Sequence, residues 1–313
     1  MRRAVLILIS TAGLALVGPA ATAQPRAPEI TVVLGQDIEP YRQTPAGFQR
    51  AFARRRPAPV YRVVVLPGRE GSTASLFPTT GHRPDLVLAI GEAAAHAVRA
   101  QEVHDPLVLA DVLEPQRELA TGASRRPPAA VGMEIPFAQQ FETLRTVAPK
   151  ARKVGTLCGP ATRALVAPAT AAAKEAGLTL TVVEIGSVQE LPQALAGLLA
   201  TVDALWALPD ATVFSPETVP YIILETLRRR VPFMGLSQNF VKAGSLVGLY
   251  PDFTDIGLQA ATLAGEILDG RRPEGGPFVH PRKALLAINL RVADVIGFSI
   301  PAEIRRRANS VFE

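Results

Sequence analysis

Phe214 to Gly270, FSPETVPYIILETLRRRVPFMGLSQNFVKAGSLVGLYPDFTDIGLQAATLAGEILDG, is the stretch that decides the fold. It reads as helix, strand, short helix, strand and long helix. Ser215-Pro216-Glu217 offers an N-cap, a proline at the first helical position and an acid in the first turn, so a helix is predicted to open there. Val231 to Gly235 and Ser245 to Leu249 are short apolar runs, the pattern of strands buried on both faces. Thr254 to Leu268 is a long helix ended by Gly270. Each strand is followed by small or polar residues rather than more core. In parallel α/β sheets ligands meet the carboxyl ends of strands, so these exits are where a site is expected.

The preceding chain repeats the alternation. Ile30 to Gly35, Val60 to Leu66, Leu86 to Ile90 and Leu107 to Ala110 read as strands, with helices over Gly47 to Arg56 and Glu92 to Ala100. Thr121 to Pro128, TGASRRPP, is a loop by composition. A second series starts at Val131. Phe137 to Val147 is a helix, Lys153 to Leu157 a strand, and Ala161 to Ala176 a helix closed by Gly177. Leu178 to Ile185 is a strand, Ser187 to Glu190 a capping box opening a helix, and Asp203 to Leu208 a strand. Leu285 to Asn289 is a last strand before a short helix. The expected fold is α/β, with two doubly wound Rossmann-like lobes joined by a hinge. Arg271 to Pro277, RRPEGGP, reads as a second crossing between lobes. The expected bounds are 24–134 plus 252–282 for lobe 1, and 135–251 plus 283–313 for lobe 2.

The first residues read as an export signal. Met1-Arg2-Arg3 is a positive start, Ala4 to Val17 an apolar core, and Ala21-Thr22-Ala23 an A-x-A site, predicting cleavage after Ala23 and a periplasmic mature chain. The one cysteine, Cys158, excludes an intramolecular disulfide, so packing must supply stability. The net charge of +5 is spread over short arginine groups. Three of these end helices, where cations complement the dipole, so nucleic acid is not an expected partner.

Catalytic and cofactor patterns are missing. There is no G-x-G-x-x-G after the first strand, no G-x-x-x-x-G-K-[ST] and no G-x-S-x-G elbow. His82, His96, His104 and His280 show no metal spacing, and Cys158 has no visible partner base. No catalytic residue, metal or cofactor is expected.

From about Ile30 to Pro301 the chain resembles the ABC transporter substrate-binding proteins of the tryptophan/tyrosine type, a branch of the type I periplasmic binding fold. The matching pieces are PDLVLAIGEAAAHAV, LEPQREL, KVGTLCGP, VDALWALPDATV, LAINLRVADVIGFSIP and, most closely, Val231 to Gly270. The resemblance implies a Venus flytrap: a small molecule enters between two lobes, stabilises their closure, and is delivered to an ABC permease of the inner membrane by a monomeric binding protein. A ligand-sensing module for a membrane signalling partner, or an exported α/β enzyme using Cys158 or His96, are the other readings.

Strand exits give the candidate ligand residues. In lobe 1 these are Gln36, Asp37, Tyr41, Gly91, Glu92, Asp111 and Glu114; in lobe 2 they are Cys158, Gly159, Asp210, Thr212, Ser237, Gln238 and Tyr250. The resemblance puts Asp210 where the family has an Asp, able to take a ligand ammonium or simply to cap a turn. Amides near Gly91 and Gly159 are expected to take a carboxylate, and Tyr41 or Tyr250 to stack on a ring or pack at the rim. Trp206 is expected in the core. Glu92, Glu114 and Cys158 depart from the family pattern. Glu92 beside Gly91 would repel a ligand carboxylate, which keeps a neutral or cationic ligand open.

Overall fold

Two sheets of parallel strands organise the chain. The structure, a computed structural model, describes residues 26–67, 76–77, 83–101, 106–113, 128–273 and 278–313. The export signal, Glu114, His82, His104 and residues 121–127 of the loop lie outside them.

The first sheet holds β1 (Glu29–Leu34), β2 (Val60–Val65), β3 (Leu86–Ile90), β4 (Leu107–Val112), β5 (Ala129–Gly132) and β11 (Phe278–Val279), in the order β11-β5-β4-β3-β1-β2, with every pairing parallel. One face carries α1 (Glu39–Phe52) and α8 (Phe253–Leu268); the other carries α2 (Glu92–Ala100). α1 and α8 meet backbone to backbone: a Cβ at Gly47 would lie 2.0 Å from the Thr254 carbonyl oxygen, and one at Gly257 would lie 2.1 Å from that of Thr44.

The second sheet holds β6 (Lys153–Cys158), β7 (Thr179–Glu184), β8 (Ala204–Trp206), β9 (Phe233–Gly235), β10 (Val247–Pro251), β12 (Ala284–Asn289) and β13 (Ser310–Phe312), in the order β13-β12-β10-β9-β8-β6-β7. Only the β10–β12 pairing is antiparallel. α3 (Phe137–Val147) and α4 (Arg163–Glu175) cover one face, α5 (Leu191–Leu199) and α6 (Val219–Arg228) the other. Three shorter helices complete the lobe: α7 (Gln238–Ala243), α9 (Leu290–Ile296) and α10 (Ala302–Arg307). Trp206 is buried, its ring tilted against Phe141 at 4.8 Å between centroids, and its indole N–H donates to Gln140 Oε1 at 2.8 Å. It is core, as its apolar setting predicted.

Both sheets share the strand order 2-1-3-4-5, so each has a topological switch point between its first and third strands, where ligands of doubly wound folds bind. Three connections join the sheets: β5 to α3, β10 to α8, and β11 to β12. β5, β10 and β11 leave at their carboxyl ends, and antiparallel β12 enters at that same edge of its sheet. The carboxyl edges of the parallel strands therefore lie at the three connections.

Several local expectations differ. The first helix starts at Glu39, eight residues before Gly47, because Pro40 in its first turn preorganises the backbone there. The helix expected from Ser215 starts at Val219: Ser215 N–H and Thr218 Oγ1 close a turn at 3.0 Å instead, and Thr218 Oγ1 donates to the Val213 carbonyl. Ser187 to Glu190 forms a 3-10 turn before α5, with Ser187 Oγ donating to Glu190 Oε1 at 3.1 Å rather than capping. Of RRPEGGP, Arg271 to Pro273 follow α8 and residues 274–277 lie outside the described residues; the next described residues form β11 of the first sheet, so the chain crosses to the second sheet at 280–283.

Candidate ligand-binding site

Lobe 1 presents Gly35 at the end of β1 and Gly91 at the end of β3, on either side of its switch point. Gln36 and Asp37 are exposed in the loop that follows β1, with Asp37 paired to Arg42 at 2.6 Å. Gly91 has φ +83°, a conformation natural to glycine. Tyr41 packs its ring against it: a Cβ at position 91 would sit 2.6 Å from Tyr41 Cε2, Cζ and Oη. Tyr41 is half-buried, and its phenol is pushed up to about 12 by burial and then by the negative charges of Asp111 and Glu92. Glu92 is exposed in the first turn of α2.

Asp111, near the end of β4, is buried, has φ +56°, and lies where the β4–β5 register shifts between Ala110 and Val112. Thr44, three residues beyond Tyr41 on the same face of α1, donates to its Oδ2 at 2.6 Å. Asp111 Oδ1 is buried with no hydrogen-bond partner among the described residues. Burial raises its carboxyl to about 7 against the lowering effect of the Thr44 bond. Thr44 was not a candidate from sequence; Pro40, as a helix-start signal, would have placed it one turn below the site.

Lobe 2 presents Cys158 and Gly159 after β6 and Asp210 after β8, again across the switch point. Asp210 is buried, and four donors occupy its carboxylate. Gly159 N–H at 2.7 Å and Thr162 Oγ1 at 2.5 Å reach Oδ2; Thr212 N–H at 2.8 Å and Val213 N–H at 2.9 Å reach Oδ1. Burial would raise its pKa, but the Thr162 hydroxyl and these three amides together hold it below the usual carboxylate range. The turn-capping alternative is the arrangement seen. Cys158 is buried and its thiol is pushed up by burial, then by Glu184 and Asp210, against Arg163; this is an inert thiol. Ser237 caps α7 by accepting from Phe240 N–H at 3.4 Å. Gln238 donates to Ser310 Oγ at 2.9 Å, and Tyr250 is buried beside Val241 and Ala287.

Of the amides near Gly91 and Gly159, those of the two glycines themselves are engaged: Gly91 N–H donates to the Ala110 carbonyl at 2.8 Å and Gly159 N–H to Asp210. Among the described residues no group of three or more His, Cys, Asp or Glu could hold a metal, and no helix is long and apolar enough to cross a membrane.

Residues 73–312 match the model of a family described as ABC transporter substrate binding protein. The chain is 23% identical over 206 residues to the tyrosine-binding protein of Clostridioides difficile (strain R20291), covering 64% of this chain. It spans 59% of the length of that curated relative. Among solved structures, the ligand-free, open form of a substrate-binding protein with adhesive properties from Clostridium difficile is similar at TM-score 0.72, with 17% identity, over 91% of this chain and 99% of that one. An ABC domain in complex with L-Trp from Streptococcus pneumonia is similar at TM-score 0.67, with 20% identity, over 92% of this chain and all of that one. These structures share the two-lobed fold seen here.

Proposed function

The chain belongs to the ABC transporter substrate-binding protein family, and on that premise we propose that it captures a small amino-acid-like molecule between its lobes and delivers it to an ABC permease. The observation that carries this reading is the pairing of two switch points, one with Tyr41, Gly91 and Asp111, the other with Gly159, Asp210 and Thr212, at sheet edges joined by three short connections. A ligand touching both edges stabilises the closed arrangement, which a permease then recognises. In this reading lobe 1 comprises residues 24–134 and 252–282, lobe 2 comprises 135–251 and 283–313, and the protein works as a periplasmic monomer after cleavage of its export signal behind Ala23. An aromatic ring on the ligand fits Tyr41 and agrees with what the relatives' names say of those proteins.

Thermal-shift screening against amino acids, nucleosides and small carboxylates, followed by calorimetric titration, tests the reading. One ligand is expected to bind at unit stoichiometry and raise Tm, because it binds only the native state. No ligand shifting Tm while the protein hydrolyses an ester would overturn it.

A further inference from the structure

We propose that Asp111 selects the ligand by its protonated amine, so that a carboxylate on the ligand is dispensable; this deepens the binding reading above and rests on it.

The backbone singles the residue out. A non-glycine residue at φ +56° in a β-bulge is an uncommon arrangement. Such strain gathers at ligand sites, and bulges re-aim side chains there. The side chain so aimed is a buried carboxylate with one oxygen held by Thr44 and the other lacking a donor among the described residues. A buried acceptor left empty is a cost that an incoming donor relieves, most of all a cationic one. Its carboxyl titrates near neutrality, so an ammonium that reaches it meets a group ready to ionise.

The cover suits a cation. Tyr41 lies one turn above Thr44 and only half-buried, so its ring can swing away from Gly91 and offer its face to an ammonium or a ligand ring. After burial, the nearby carboxylates of Asp111 and Glu92 also push the Tyr41 phenol up, as negative charge does. Four nearby donors for an anion are already engaged. Gly91 N–H is bonded to Ala110, Gly159 N–H to Asp210, Arg42 to Asp37 and Arg163 to Glu184.

Three probes decide: L-tyrosine, its decarboxylated counterpart tyramine, and its deaminated counterpart 3-(4-hydroxyphenyl)propionate, titrated calorimetrically into the full chain and into Asp111→Asn. Asparagine tolerates positive φ and keeps a partner for Thr44. Tyramine is expected to bind within about tenfold of L-tyrosine, and the acid about 100-fold more weakly, as loss of a buried charged partner implies. Asp111→Asn is expected to weaken both amines by at least about tenfold, without lowering Tm. If the acid binds as well as L-tyrosine and tyramine does not, or if the variant binds tyramine normally, Asp111 is not the selector and the binding reading survives. A solute without a basic amine emerging from the wider screen overturns the proposal in the same way. Binding of no solute at all removes both. The probe series needs no variant, so misfolding of Asp111→Asn leaves it decisive.

Discussion

Arg282 grips Asp255 with two hydrogen bonds of 2.9 Å, and through them ties together two of the three connections between the sheets. Asp255 is buried in the first turn of α8, just after the connection from β10; Arg282 lies on the connection from β11 to β12. Gln259 adds bonds to the His280 carbonyl and the Arg282 N–H, both 3.0 Å. The pair is asymmetric, since the Asp255 side chain is 3% exposed and that of Arg282 55%. Arg282→Met leaves a buried carboxylate with only Lys283 beside it at 3.4 Å and is expected to cost about 2–3 kcal/mol. Asp255→Asn frees an arginine that water can solvate and is expected to cost about 1 kcal/mol. Urea unfolding of the two variants checks the order.

The same pair fixes an acid-side pH dependence. Arg282 holds the Asp255 carboxyl below the usual range. A depressed folded-state pKa contributes stability above the unfolded-state value of about 4, lost as pH falls through the folded-state value. Stability is expected to drop below pH about 4, and Asp255→Asn to blunt the drop.

Asp111 acts with the opposite sign. Its folded-state value is about 7, above the unfolded-state value, so its contribution is fully present at low pH and lost as pH rises toward 7. Asp111→Asn is expected to flatten the stability curve between about pH 4 and 7 and to be more stable than the parent at about pH 8, by roughly 1–3 kcal/mol. Denaturant midpoints across that range, without ligand, test it.

Asp210→Asn replaces an acceptor of four bonds by a group with one accepting oxygen and an NH₂ facing two donors. It is expected to cost about 2–3 kcal/mol and to lower Tm more clearly than it lowers ligand affinity. A selective loss of affinity at unchanged Tm would return Asp210 to the role of ammonium acceptor.

Gly91→Ala and Gly47→Ala separate a site effect from a packing effect. At position 91 the methyl group displaces the Tyr41 ring and the positive φ is strained, so about 1–2 kcal/mol and a weaker ligand are expected. At position 47 the methyl group meets the rigid backbone of Thr254, so α1 and α8 must part, costing about 3 kcal/mol or more. Calorimetric melting with and without ligand distinguishes them.

Much of this was legible in the chain. The runs Val231 to Gly235 and Ser245 to Leu249 are apolar enough to be strands, and strands with polar exits alternate with helices throughout, so two doubly wound lobes follow from local pattern. Boundaries were weaker where a local side-chain turn competed with a cap, as Thr218 does with Ser215. Asp210, Gly91 and Tyr41 could be named as exit residues, but not what each does.

Local periodicity, capping and composition are properties of neighbouring residues, and those the amino-acid sequence determines by itself: the fold class, the strand exits, the absence of familiar catalytic motifs. Roles within the site depend on partners distant in the chain. Asp210 is filled by Gly159, 51 residues earlier, while Asp111 has Thr44, 67 residues away, and one oxygen without a partner among the described residues. Two carboxylates alike in sequence thus become a saturated cap and an unfilled acceptor, because hydrogen-bond satisfaction and burial are settled only when distant segments pack.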